Sequence, residues 1–193
     1  MQLNPQKGMA LPDVLVTLLL SSIVLLSTSQ ILVMLRAGNI KAQRWQQIQE
    51  SIAQLLDRID KDLTRSGFCA QGCSVPQPMI ASTGGESANS CLIVFYDLDT
   101  NGRIDLSSAA TADSFGYRLR NGALETARGI QQCSGNGWDK ITDEKEIKVS
   151  LFNVAPLYRG YEVQLALQRL KPPFTAIQQT RYILPENAQM VEK

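Results

Sequence analysis

Oxygen-bearing side chains stand at the first, third, fifth and ninth positions of Asp97-Leu98-Asp99-Thr100-Asn101-Gly102-Arg103-Ile104-Asp105. This spacing lets Asp97, Asp99, Asn101 and Asp105 converge on one hard cation, and a glycine at the sixth position permits the sharp turn, as in the front half of a calcium-binding loop. The pattern is incomplete, because Ser108 stands where a bidentate glutamate would close the loop and no flanking helices are evident. Calcium is one expectation. The other is a solvated connection whose Asp and Asn side chains cap their own turns. No further cofactor is required.

Four cysteines, Cys69, Cys73, Cys91 and Cys133, are the second reactive set. They allow three pairings, and sequence alone does not choose among them. Cys69 with Cys73 and Cys91 with Cys133 are favoured, since the first pair is local and the second staples a strand candidate to a distant loop. A zinc site fits less well, because three residues separate the near pair and no second close pair follows. The absence of histidine removes the commonest general base and the triads built on it. Serines have no evident partner base, so no enzyme is expected. With 19 Lys and Arg against 18 Asp and Glu, no field favours nucleic acid, and no nucleic-acid partner is expected.

These groups must be held by what surrounds them. Lys7-Gly8-Met9-Ala10-Leu11-Pro12-Asp13 leads into an apolar run from Val14 to Leu35. The run carries no charge between Asp13 and Arg36, which predicts a membrane-crossing helix. The cysteines beyond it suggest an oxidising compartment. Arg36, Lys41 and Arg44 follow the run closely, against the positive-inside rule for a cytoplasmic amino terminus. Ile40, Trp45, Ile48, Ile52, Leu55, Leu56, Ile59 and Leu63 recur at three- and four-residue steps, so the helix continues as an amphipathic stripe. One helix from about Leu11 to about Arg65 would span roughly 80 Å, and Ser66-Gly67 supplies its stop.

Beyond Gly67 the texture is β-rich. Ser66 to Glu86 reads as a loop and Cys91 to Tyr96 as a strand. Phe115 to Arg120, Asn121-Gly122 and Ala123 to Thr126 form a hairpin with a type I′ turn. Ser134 to Glu146 reads as another loop, with Trp138 as a lid on the core. Ile147 to Val154, Tyr161 to Leu170 and Phe174 to Leu184 complete the expected sheet. The expected architecture is α+β: a long N-terminal α-helix, transmembrane in its first half and amphipathic in its second, packed on an antiparallel β-sheet.

The order of basic leader, Gly8, short apolar residues, Asp13 and apolar helix resembles the type III signal of type IV pilins and type II secretion pseudopilins. Arg65-Ser66-Gly67-Phe68-Cys69, Cys91 to Val94, Asp97 to Gly102, Gly116 to Leu119 with Ala123 to Thr126, and Cys133 with Gly137 to Lys140 resemble a narrower group. That group is the prepilin peptidase-dependent minor pilins, B type, related to J-type minor pseudopilins. The resemblance implies a pilin-like fold. It divides the chain into a cleaved leader (1–8), a transmembrane helix segment (9–35), an amphipathic continuation (36–66) and a periplasmic β-rich domain (67–193).

It further implies cleavage by prepilin peptidase after Gly8 and N-methylation of Met9. Asp13 stands where the family usually has glutamate, and its role would be to pair with a neighbouring subunit's amino terminus. Met9 for the usual phenylalanine, Asp13 and Pro12 point to a minor subunit that primes or tips the fibre. The implied partners are other minor pilins, the major pilin and the inner-membrane assembly platform. The implied location is the inner membrane, single-pass through the N-terminal helix, or the pilus tip. Alternatives are a minor pseudopilin of a type II secretion system and a signal-anchored periplasmic binding protein.

Overall fold

The computed structural model describes residues 11–106 and 111–187; within the first helix, the side chains of 28–33 and 37 lie outside that description. Helix α1 spans Leu11–Arg65, 55 residues. Pro12 sits in its first turn, where a missing N–H costs nothing, and no proline follows until Pro76. Asp13 in the first turn and Arg65 in the last complement the helix dipole. The stop is Gly67 at φ +85°, a left-handed conformation that suits glycine. A Cβ there would also lie 2.8 Å from the Asn187 carbonyl oxygen.

The expected transmembrane first half is corrected. Among the described residues no helix is long and apolar enough to cross a membrane. The hydroxyls of this stretch are turned back onto the helix: Thr17 donates to the Val14 carbonyl, Ser21 to Leu18, Ser22 to Leu19 and Ser27 to Ile23. Single-pass anchoring in the inner membrane, and the location inferred from it, therefore lose their support.

The chain divides into two compact units, Met1–Arg44 and Trp45–Lys193. In the first, Leu18, Leu19, Ile23 and Val24 are exposed. In the second, Ile48, Ile52, Leu56, Ile59 and Leu63 bury the helical stripe, with Leu55 packed at its edge. Ile40 and Trp45, read as part of the same stripe, are exposed. Each fully buried aliphatic side chain contributes about 1.5 to 3 kcal/mol, so this stripe fixes the second half of α1.

The β-structure forms two sheets, correcting the single sheet expected. Strands β1 (Met79–Ala81), β2 (Cys91–Phe95), β3 (Ser114–Arg120), β4 (Ala123–Arg128) and β5 (Asp139–Lys140) lie in that order in an antiparallel five-stranded sheet. β6 (Ile147–Leu157), β7 (Gly160–Arg169) and β8 (Ala176–Ile183) form an antiparallel three-stranded sheet. A few backbone bonds join β6 to loops of the first sheet, among them Val149 N–H to the Gly122 carbonyl at 2.7 Å and Val154 N–H to Asn89 at 3.0 Å. That is too sparse for a ladder. β1 and β5 are too short to show as periodic patterns, and they fall inside stretches read as loops.

Both sheets present alternate residues to α1. Leu92, Val94, Tyr117 and Leu124 come from the first sheet, and Phe152, Val163, Leu165 and Leu167 from the second. A separate cluster of Cys91, Ile93, Phe95 and Cys133, with Ile130 and Trp138 against it, covers the other face of β2.

Candidate functional site

The end of β2 delivers Tyr96 and then Asp97, which is buried although its neighbours Leu98, Asp99 and Thr100 are exposed. Asp97 is held at both ends: its own N–H donates to the Phe68 carbonyl at 2.9 Å, and its side chain collects donors from two loops. Oδ2 accepts from Ala70 N–H at 3.1 Å and Gly102 N–H at 2.9 Å, and Oδ1 accepts from Asn101 N–H at 3.0 Å. Burial alone pushes this carboxyl up. The N–H groups of Ala70, Gly102 and Asn101, aided by a hydrogen bond with Asp99, outweigh burial and hold it below its ordinary value.

Asp113, just ahead of β3, closes the other side of the loop. Its Oδ1 accepts from Leu98 N–H and its Oδ2 from Asp105 N–H, both at 3.0 Å, while its own N–H donates to the Asp105 carbonyl at 2.8 Å. Carboxylate oxygens of Asp97, Asp99 and Asp113 lie within 4.8 Å of one another. The sequence reading named Asp97 and Asp99 but missed Asp113, which lies too far along the chain for loop spacing to find. Asp105 is not among the three, and Asn101 links it to them, its Nδ2 donating to Asp99 at 3.1 Å and to Asp105 at 3.0 Å. Ser108, Gly8 and Met9 lie outside the described residues.

Cys69 is joined to Cys73, and Cys91 to Cys133. The first bond closes the small loop that offers Ala70 N–H to Asp97, and the Gln71 side chain in that loop covers Gly102, where a Cβ would come within 2.6 Å of it. The second ties β2 to the loop after β4. Beside it, Arg118 Nε donates to Glu125 at 2.7 Å and an Arg118 Nη donates to the Cys133 carbonyl at 2.7 Å. The guanidinium also lies 4.3 Å from the centre of the Trp138 ring. Trp138 thus covers a buried cation as well as apolar side chains. The Asn121-Gly122 turn already sets Arg118 opposite Glu125, a signal the sequence contained.

Asp62 tethers α1 to the first sheet, accepting from Tyr96 OH at 2.9 Å and Tyr117 OH at 2.5 Å. Burial, then the Asp62 charge, then the hydrogen bond to it push both phenols well above their ordinary range. Asp13 lies exposed in the first turn of α1.

The sequence profile of prepilin peptidase-dependent protein B matches residues 41–184, which include the buried stripe, both disulfides and both sheets. The chain belongs to the prepilin peptidase-dependent protein B family. It is 31% identical over 149 residues to prepilin peptidase-dependent protein B of Escherichia coli (strain K12), covering 77% of each chain. It is also 25% identical over 168 residues to an uncharacterized protein of Haemophilus influenzae, covering 63% of this chain and 71% of that one. No solved structure matches. Members of the prepilin peptidase-dependent protein B family take their name from the peptidase pathway of pilus subunits, and family membership gives this chain a pilus-related role.

Proposed function

We propose that this chain is a minor pilin, a priming or tip subunit that acts by assembly rather than by catalysis. The observation that carries this reading is the family match over residues 41–184. A helix of 55 residues agrees with it, because its described side chains before Ile48 are exposed and include apolar ones such as Leu18, Leu19, Ile23 and Val24 that other subunits could cover. In this reading prepilin peptidase cuts after Gly8 and methylates Met9. Asp13 then pairs with the terminal ammonium of a neighbouring subunit, and other minor pilins, the major pilin and the assembly platform are the partners.

Mass spectrometry of the mature protein should find an N-methylated Met9 at its amino terminus; a chain that retains residues 1–8 in cells with active peptidase overturns the processing. Asp13→Ala should leave the folded domain unchanged by circular dichroism and abolish or sharply reduce piliation. Normal piliation by that variant would remove the pairing role.

A second reading, of the Asp97 loop, is favoured by the convergence of three carboxylates. Asp97, Asp99 and Asp113 keep acceptor capacity beyond the hydrogen bonds they already receive, which suits a hard cation with oxygen ligands. Calcium would serve here to stiffen the loop, with no chemical step. Calorimetric titration with calcium should show one site and a raised melting temperature; no heat and no shift dismiss it.

A further inference from the structure

The two disulfides differ in access. Cys91 is fully buried and Cys133 nearly so, at 0% and 6% exposure. Cys69 and Cys73 are both partly exposed, and both line a groove of about 260 Å³ whose walls include Phe68, Val75, Pro76 and Tyr161. Thiol–disulfide exchange requires in-line approach of a thiolate to one sulfur, so access decides which bond reacts. The bonds also differ in their coupling to the fold, with sequence separations of 4 and 42. A cross-link stabilises the fold by restricting the unfolded chain, and by linkage the fold stabilises the cross-link equally. The short loop gives Cys69–Cys73 little of that mutual protection.

We propose that Cys69–Cys73 is a thiol–disulfide exchange site, opened by a protein dithiol that reaches it through this groove, and that its opening loosens the Asp97 loop. The dithiol's thiolate attacks one sulfur of the bond, giving a mixed disulfide and a cysteine thiolate. The partner's second thiol then attacks its own sulfur in that mixed disulfide, releasing the other cysteine. The partner is oxidised by two electrons to its disulfide, Cys69 and Cys73 are reduced by two, and the two protons given up by the dithiol end on their sulfurs. Aromatic and proline side chains, Phe68, Tyr161, Pro76 and Pro78, line the groove with the reactive bond. Opening the bond frees Ala70, whose N–H is one of the two donors to Asp97 Oδ2, and Gln71, which covers Gly102.

Graded dithiothreitol followed by alkylation and peptide mapping tests the reactivity. Cys69 and Cys73 should be alkylated at a concentration at least tenfold below that needed for Cys91 and Cys133. Simultaneous opening of both bonds, or earlier opening of Cys91–Cys133, overturns it. A thioredoxin-type dithiol protein with its second cysteine replaced by serine should be captured as a mixed disulfide on Cys69 or Cys73; failure to capture it, with dithiothreitol still opening the bond, refutes the protein partner. For the coupling, amide hydrogen exchange at Ala70 and Gly102 should accelerate at least tenfold in Cys69→Ser/Cys73→Ser, while Leu124 in β4 stays protected. Unchanged protection at Gly102 refutes the coupling. These outcomes do not depend on whether the subunit enters a pilus.

Discussion

Cys91–Cys133 is surrounded by side chains that the fold has fully committed, whereas Cys69–Cys73 borders a groove and a polar loop. Around the first bond, Ile93, Phe95, Ile130 and Trp138 exclude water, and Arg118 is neutralised by Glu125 and capped by two carbonyls. Around the second, the groups are backbone N–H donors aimed at one carboxylate, and several of their neighbours face solvent. One region is stabilised by what it hides. The other is held by hydrogen bonds that a local movement can release, which is the kind of region that opens before the whole domain does.

The sharpest way to break the first region is Arg118→Ala. It leaves Glu125 buried without its partner and removes the cation from beneath Trp138. Removing one member of a buried pair costs about 3 to 5 kcal/mol, and this arginine also satisfies the Cys133 and Gly135 carbonyls, so the upper end is expected in a urea melt. Next comes Cys91→Ala/Cys133→Ala. Chain entropy for a separation of 42 gives about 4 kcal/mol. Unlike the loop bond, its loss should lower stability without leaving a partly ordered state.

Tyr117→Phe probes the tether between the buried stripe and the first sheet. A hydrogen bond to a charged acceptor contributes about 1.5 to 3 kcal/mol, and loss of that order is expected at neutral pH. The alkaline limb carries a second signature. Both tyrosines have folded values raised above the ordinary 10.0. Their contribution is therefore complete below pH 10 and is lost as pH rises from there toward the folded values. Stability of the native chain should fall above pH 10, and Tyr96→Phe/Tyr117→Phe should flatten that fall. A fall of the same steepness in the double variant would place its cause elsewhere.

Legibility in the sequence followed the range of the interactions. The Asn121-Gly122 turn was readable because two adjacent residues must adopt positive φ, and they do, at +52° and +76°. Ile48 to Leu63 were readable because helical spacing alone aligns them. Asp113 was not, since its place beside Asp97 depends on how β2 and β3 pair. Asp62 between two tyrosines was hidden for the same reason, with 34 and 55 residues separating donor from acceptor. The membrane reading failed differently: it rested on counting charges between Asp13 and Arg36, and among the described residues no helix is long and apolar enough to cross a membrane. Splitting of the β-structure into two sheets was invisible because strand patterns report faces, not neighbours.

The smallest effect expected is that of Cys69→Ser/Cys73→Ser on global stability. A separation of four residues closes so little chain that the entropic contribution is about 2 kcal/mol, half that of the other bond. Part of even this should be absent, because Gly67 N–H to the Phe95 carbonyl and Asp97 N–H to the Phe68 carbonyl pin the start of the loop without the sulfurs. A urea melt monitored by tryptophan fluorescence should therefore shift only slightly, since both tryptophans lie outside the 69–73 loop, while exchange at Ala70 rises. If the melt instead shifted as far as that of Cys91→Ala/Cys133→Ala, the loop would belong to the same cooperative unit as the buried cluster. The contrast between the two bonds would then be one of exposure alone.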